Sequence, residues 1–94
     1  MPQVVVKAYG RLRELFQQSE LNIVVEDKEA SIRSLINTLI DKYGEEVKTD
    51  LLNKKTGGLT PFIIVNGETA GLDAKLKDKD VVAILPPAVG GYIN

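Results

Sequence analysis

The stretch of this chain best placed to do chemistry is its C-terminal segment, ILPPAVGGYIN (84–94). Pro86 and Pro87 remove two consecutive backbone donors and so end a strand-like run. Pro-Pro also biases the chain towards polyproline II, so the tail projects from a sheet instead of folding back. Gly90 and Gly91 lack a Cβ and sample conformations that other residues cannot. Yet Tyr92, Ile93 and Asn94 follow, so the Gly91 carbonyl belongs to a resonance-stabilised amide and not to a free carboxylate. From the two glycines alone, a tail without function is the stronger reading.

Other chemistry is scarce. The 94 residues include no cysteine, histidine or tryptophan. Disulfides, thiolate nucleophiles and cysteine-type zinc sites are excluded, as are Ser-His and Cys-His pairs and the commonest general base. The KKTGG run (54–58) lacks the strand-loop-helix setting of a phosphate-binding loop and reads as a solvated turn. DAKLKDKD (73–80) reads the same way. A net charge of −1 gives no basic footprint for nucleic acid. No apolar run approaches the roughly 18–20 residues of a membrane span, and no basic stretch precedes an apolar segment at the N-terminus, so the default location is the cytoplasm. With 44% hydrophobic and 27% charged residues, the chain is apolar enough to fold as one small domain. A domain so poor in catalytic groups reads as a partner, carrier or substrate, not as a stand-alone enzyme.

The elements that must present the tail follow from periodicity. VVVKAY (4–9) is a strand whose alternation puts Val4, Val6 and Ala8 on one face and Val5, Lys7 and Tyr9 on the other. Gly10 breaks it, and RLRELF (11–16) suits one or two helical turns. LNIVV (21–25) is a second strand. From 31 to 43 the apolar residues Ile32, Leu35, Ile36, Leu39, Ile40 and Tyr43 form one helical stripe, with Ser31 as N-cap and Gly44 at the C-terminal left-handed position. Leu35, Ile36, Leu39 and Ile40 are its expected core anchors. EEVKTDLL (45–52) adds a short helix and 53–60 a loop. PFIIV (61–65) is the third strand, followed by the hairpin signal Asn66-Gly67 and a weak segment, 68–72. Leu76 is the one buried residue expected in 75–80, and VVAIL (81–85) is the last strand. If Val82 and Ile84 face the helix, then Val81, Ala83 and Leu85 face outward. Together with Val5 and Tyr9 they make an apolar patch of the kind that binds partners.

One amphipathic helix against a mainly antiparallel sheet is an α+β layer pair. The first and last strands are rich in Val and Ile, as central strands are, and run parallel if a long crossover joins them. That arrangement, a mixed sheet on one long helix, is the β-grasp of ubiquitin. The expected organisation is a β-grasp domain over residues 1–87 and a flexible tail over 88–94.

Over residues 4–91 the chain resembles the small subunit of molybdopterin synthase and its relative, the thiamine-pathway sulfur carrier. VVVKAYGRLREL is similar to the family's opening strand and Arg-Glu-Leu turn, SIRSLINTLIDKYG to its core helix, and VNGETAGLDAKLKDKDVVAILPPAVGG to its closing half. The Pro-Pro places it nearer the molybdopterin branch and molybdenum cofactor biosynthesis. The resemblance implies a glycine carboxylate at Gly91, next to Gly90, that a ubiquitin-activating-type enzyme adenylates with ATP and that sulfur delivery converts to a thiocarboxylate. The molybdopterin branch then inserts that end into a larger catalytic synthase subunit. The resemblance assigns Tyr9 and Leu85 to partner contact, and with Val5, Val81, Pro86 and Pro87 they are the expected partner-binding residues. No bound cofactor, metal, nucleic acid or membrane is implied, and a carrier of this kind needs no Cys or His of its own.

The chain departs from the family at its end, because the active form stops at the second glycine. Three explanations compete for Tyr92, Ile93 and Asn94. A protease cuts after Gly91, or the chain is a non-covalent β-grasp interaction module with an unprocessed tail, or the extension is a cloning artefact. Processing is the preferred expectation, since the Gly-Gly is intact. A protein modifier that forms isopeptide bonds would use the same activated carboxylate.

Overall fold

Alternation of covered and exposed residues dictates the sheet, and a single apolar stripe dictates what lies across it. The computed structural model describes residues 1–86. Pro87, Gly90, Gly91 and residues 92–94 lie outside the described residues, as does the expected boundary between domain and tail. The elements, in chain order, are β1 (Gln3–Ala8), α1 (Gly10–Phe16), β2 (Glu20–Val24), α2 (Ile32–Tyr43), α3 (Glu45–Leu51), β3 (Phe62–Val65), β4 (Glu68–Ala70) and β5 (Val81–Leu85). The five strands form one sheet in the order β2-β1-β5-β3-β4. β1 and β5 are central and parallel, with Val5 opposite Val81 and Lys7 opposite Ala83. The other pairings are antiparallel. The expected α+β architecture, a mixed sheet with one long helix, is the architecture found.

Val4, Val6, Ala8, Ile63, Val82 and Ile84 are buried on the inner face of the sheet. They form one core cluster with Ile32, Leu35, Ile36 and Leu39 of α2. Ile40 is a correction. It was expected among the core anchors, but it is only half-buried, while Ile32 is fully covered. At 3.6 residues per turn, Ile32, Ile36, Leu39 and Tyr43 fall within about 60° of one another around the helix, and Ile40 falls at about 80° from Ile32, on the flank of the stripe.

The covering helix is anchored at both ends. Ser31 is in the extended region, its Oγ accepts from the Ser34 backbone N–H at 3.2 Å, and the Ser34 Oγ accepts from the Ser31 N–H at 3.3 Å. This reciprocal cap satisfies donors that the first helical turn leaves free. At the other end Gly44 donates its N–H to the Ile40 carbonyl at 2.8 Å, but its angles, φ 94° and ψ −164°, lie outside the left-handed helical region expected there. The Asn66-Gly67 turn has positive φ at both residues, 50° and 88°, as a tight hairpin between right-twisted strands requires. It joins β3 to the three-residue β4, so the weak segment does complete a hairpin, ending at Ala70.

Candidate functional site

The outward face of the sheet is built by the residues that alternate with the core. Register places Val5 beside Val81, Lys7 beside Ala83, Ile64 beside Ala83 and Phe62 beside Leu85. Val5, Lys7, Ile64, Val81, Ala83 and Leu85 are half-buried, whereas Phe62 is 54% exposed. Tyr9 lies one residue beyond the ladder of β1 but keeps extended angles (φ −134°, ψ 157°) and is 43% exposed. Val5, Tyr9, Val81 and Leu85, named from alternation alone, therefore sit together at one face. Phe62 and Ile64 belong to it as well, and alternation did not point to them. PFIIV is apolar at every position, so period two could not say which side faces in.

The site has a directed end. β5 terminates at Leu85, and exposed Pro86 follows at the margin of the apolar face. Gly10 opens α1 directly after Tyr9 with φ of +60°, and a methyl group placed on it would lie 3.9 Å from the Pro86 Cγ. The positive φ is what demands glycine here, since the contact itself is of ordinary van der Waals length. Tyr9, Leu12, Pro61 and Pro86 line a shallow cleft of about 270 Å³ beside this exit. Its flank is fixed by Arg11, whose Nε lies 2.9 Å from the Asp50 Oδ2 and whose guanidinium also approaches Glu46 at 3.7 Å, tying α1 to α3.

At the opposite end of β5 a polar network sets the register of the face. The Val81 N–H donates to the Asn66 Oδ1 at 2.9 Å, and the Asn66 Nδ2 donates to the Asp80 Oδ1 at 2.8 Å. The Asp80 Oδ2 accepts from the Lys77 N–H at 2.8 Å, and the Asp78 Oδ1 accepts from the Gln3 N–H at 2.8 Å. The charge run before β5 is thus a solvated turn, as expected, but two of its carboxylates also hold the starts of β1 and β5. The KKTGG loop is likewise a turn, with the Asn53 Oδ1 accepting from the N–H groups of Lys55 and Thr56 at 2.8 and 3.2 Å. Among the described residues no cluster of three His, Cys, Asp or Glu side chains could hold a metal ion. No helix among them is long and apolar enough to cross a membrane.

Two parallel central strands, antiparallel flanks and one long helix across a single face define a ubiquitin-like β-grasp protein. The ThiS family model matches residues 6–91, and the chain belongs to this family of ubiquitin-like sulfur carriers and modifiers. Three solved structures place it further. It is similar to a protein of Pyrococcus furiosus provisionally assigned as molybdopterin converting factor, subunit 1. The identity is 30%, over 94% of this chain and 100% of that one, with a TM-score of 0.78. It is similar to the small archaeal modifier protein 1 of Methanosarcina acetivorans at 31% identity, over 97% and 98% of the two chains, with a TM-score of 0.77. It is also similar, at 26% identity over 94% and 99% and a TM-score of 0.71, to a chain in the BexX/CysO complex of Amycolatopsis orientalis. No curated protein sequence matches the chain.

Proposed function

We propose that this chain is a sulfur carrier of the molybdopterin-synthase small-subunit type, with no catalytic activity of its own. One observation carries the reading. The outward apolar face of β1, β5 and β3 runs to the end of β5, where Pro86 begins the Pro-Pro-x-x-Gly-Gly segment. A partner seated on that face is therefore held next to the root of the segment whose end it must modify. Val5, Tyr9, Val81, Leu85 and Pro86 bind partners, joined by Phe62, and Pro87 continues the segment.

In this reading water first cleaves the Gly91–Tyr92 amide, freeing the Gly91 carboxylate. A carboxylate is a poor electrophile. An oxygen of the Gly91 carboxylate attacks the α-phosphorus of ATP held by a ubiquitin-activating-type enzyme, and pyrophosphate leaves. Hydrosulfide then attacks the acyl carbon of the adenylate, the C–S bond forms as the C–O bond to AMP breaks, and loss of the S–H proton leaves the thiocarboxylate delivered to a larger synthase subunit. Gly90 and Gly91 keep the passage to the nucleotide free of side chains. The chain itself supplies no cofactor, since the ATP belongs to the activating enzyme.

The test is ATP–pyrophosphate exchange with the cognate activating enzyme. A chain ending at Gly91 supports exchange, the 94-residue chain does not, and Gly91→Val in the shortened chain abolishes it by steric exclusion with the fold intact. Exchange by the full-length chain, with Asn94 shown by mass spectrometry to be present, overturns the processing step. No exchange by a shortened chain that demonstrably binds the enzyme favours a non-covalent interaction module. A second reading, a protein modifier, is favoured by the similarity to the Methanosarcina modifier at a level equal to the Pyrococcus match. It predicts that the same adenylate is attacked by a lysine amine of another protein, giving an isopeptide bond and AMP.

A further inference from the structure

The outward face of the three central strands presents Gln3, Val5 and Lys7 from β1, Val81, Ala83 and Leu85 from β5, and Phe62 and Ile64 from β3. Lys7 is the single charged side chain among them, and it sits between Ala83 on one side and Glu20 of the edge strand β2 on the other. It is half-buried, and a lysine so placed covers apolar surface with its aliphatic stem while keeping its charged end hydrated. Although Glu20 is its cross-strand neighbour, Lys7 makes no ion pair within 4 Å among the described residues, in contrast to Arg11, Arg33 and Lys75.

An unpaired ammonium inside an apolar docking face constrains what can dock there. A partner that covers the face strips water from that charge, and an apolar covering surface returns nothing for the lost hydration. A partner with a cation opposite is repelled. A carboxylate set within an apolar surface compensates the ammonium and fixes one registration of the two surfaces. The cost imposed on every other partner is what turns a sticky face into a selective one. We propose that the protein partner seated on this face presents a carboxylate to Lys7, and that this pairing determines which partners the carrier accepts. The inference rests on the proposed docking role of the face, and the experiment separates the two.

The affinity of the full chain for the adenylating enzyme encoded in the same genome is measured by calorimetric titration at low and high salt. The variants are Lys7→Arg, Lys7→Met, Lys7→Glu, Glu20→Gln and Leu85→Asp, and thermal melts verify that each is folded. Lys7→Met weakens binding roughly tenfold or more and flattens its salt dependence, Lys7→Glu weakens it about a hundredfold or more, and Lys7→Arg stays near wild type. If Lys7→Met binds like wild type with unchanged salt dependence while Leu85→Asp abolishes binding, the face docks the enzyme but the carboxylate is refuted. If the Lys7→Met loss disappears in a Glu20→Gln background, the counter-charge is internal and the inference is equally refuted. If the wild-type chain does not bind, or Leu85→Asp binds as wild type does, the docking role itself fails and the inference falls with it.

Discussion

Val82 and Ile84 are fully covered, while Val81, Ala83 and Leu85, their neighbours in the same five-residue strand, keep part of their surface in solvent. β1 repeats the division, with Val4, Val6 and Ala8 buried and Val5 and Lys7 half-buried between them. In β5 residue type does not separate the two faces, since large aliphatic side chains stand on both. What separates them is a second layer. α2 lays Ile32, Leu35, Ile36 and Leu39 into the inner face, and no helix among the described residues does the same for the outer one. Equal hydrophobicity therefore contributes fold stability on one side and leaves an association surface on the other.

The inner side carries the largest expected loss of stability. Leu39 is completely buried at the centre of the α2 stripe, so Leu39→Ala loses both transfer free energy and packing around the cavity left behind. The expected cost is about 2–5 kcal/mol, a large share of the total stability of so small a domain. Urea denaturation read by circular dichroism measures it. A midpoint unchanged from wild type would mean that the stripe is not the core.

On the outer side the expected effect is on binding, with little change in stability. Leu85→Asp and Tyr9→Ala weaken association with the activating enzyme or the larger synthase subunit. They shift the urea midpoint by the equivalent of no more than about 1 kcal/mol, because their side chains leave no sealed cavity. Phe62→Ser, at the most exposed position of the patch, behaves in the same way. Parallel loss of binding and stability in all three variants would show the faces assigned backwards. Unchanged affinity in all three would remove the patch from partner recognition.

Local pattern decides how much of this division is legible in the sequence. VVVKAY and VVAIL are interpretable once one residue of each is assigned to the core, because side chains alternate strictly in a strand. α2 is legible because its apolar residues recur at spacings of three and four, and its cap because Ser31 precedes them. The reciprocal half of that cap is not legible, since the returning side chain is Ser34 where Glu or Gln is the usual signal. Ile40 is misplaced by the pattern because spacing alone does not weight the flank of a stripe against its centre. Phe62 escapes for a different reason. An unbroken apolar run has no phase of its own, and its phase comes from pairing with β5, a contact between residues about twenty positions apart in the chain. The roles of Asn66, Asp78 and Asp80 in aligning β1 with β5 are long-range in the same sense.

The smallest predicted effect concerns the attachment of the covering layer. The Ser34 hydroxyl, half of the α2 cap, donates to the Asp27 Oδ2 at 2.6 Å, and the Glu29 backbone N–H donates to the Asp27 Oδ1 at 3.2 Å. The Ser34 bond first, and then the Glu29 bond, hold the Asp27 carboxyl below its ordinary value of 3.8, against an opposing effect of desolvation that is larger than the small further help from the charge of Lys75. Each of the favourable contacts prefers the carboxylate form. The folded chain therefore binds fewer protons here than the unfolded chain. The associated stability is fully present above the ordinary carboxyl value and disappears as the pH falls through the lowered one. Asp27 is exposed, so the contribution is small, but its location is specific: acid loosens the start of α2, and so the cover of the inner face, without touching the outer face. Carbon-detected NMR titration of the Asp27 carboxyl is expected to give a midpoint below 3.8 in the wild-type chain and a higher one in Ser34→Ala. An Asp27 midpoint at or above the ordinary value, or one indifferent to Ser34→Ala, would dissociate this carboxylate from the cap and leave acid sensitivity no preference for the inner layer.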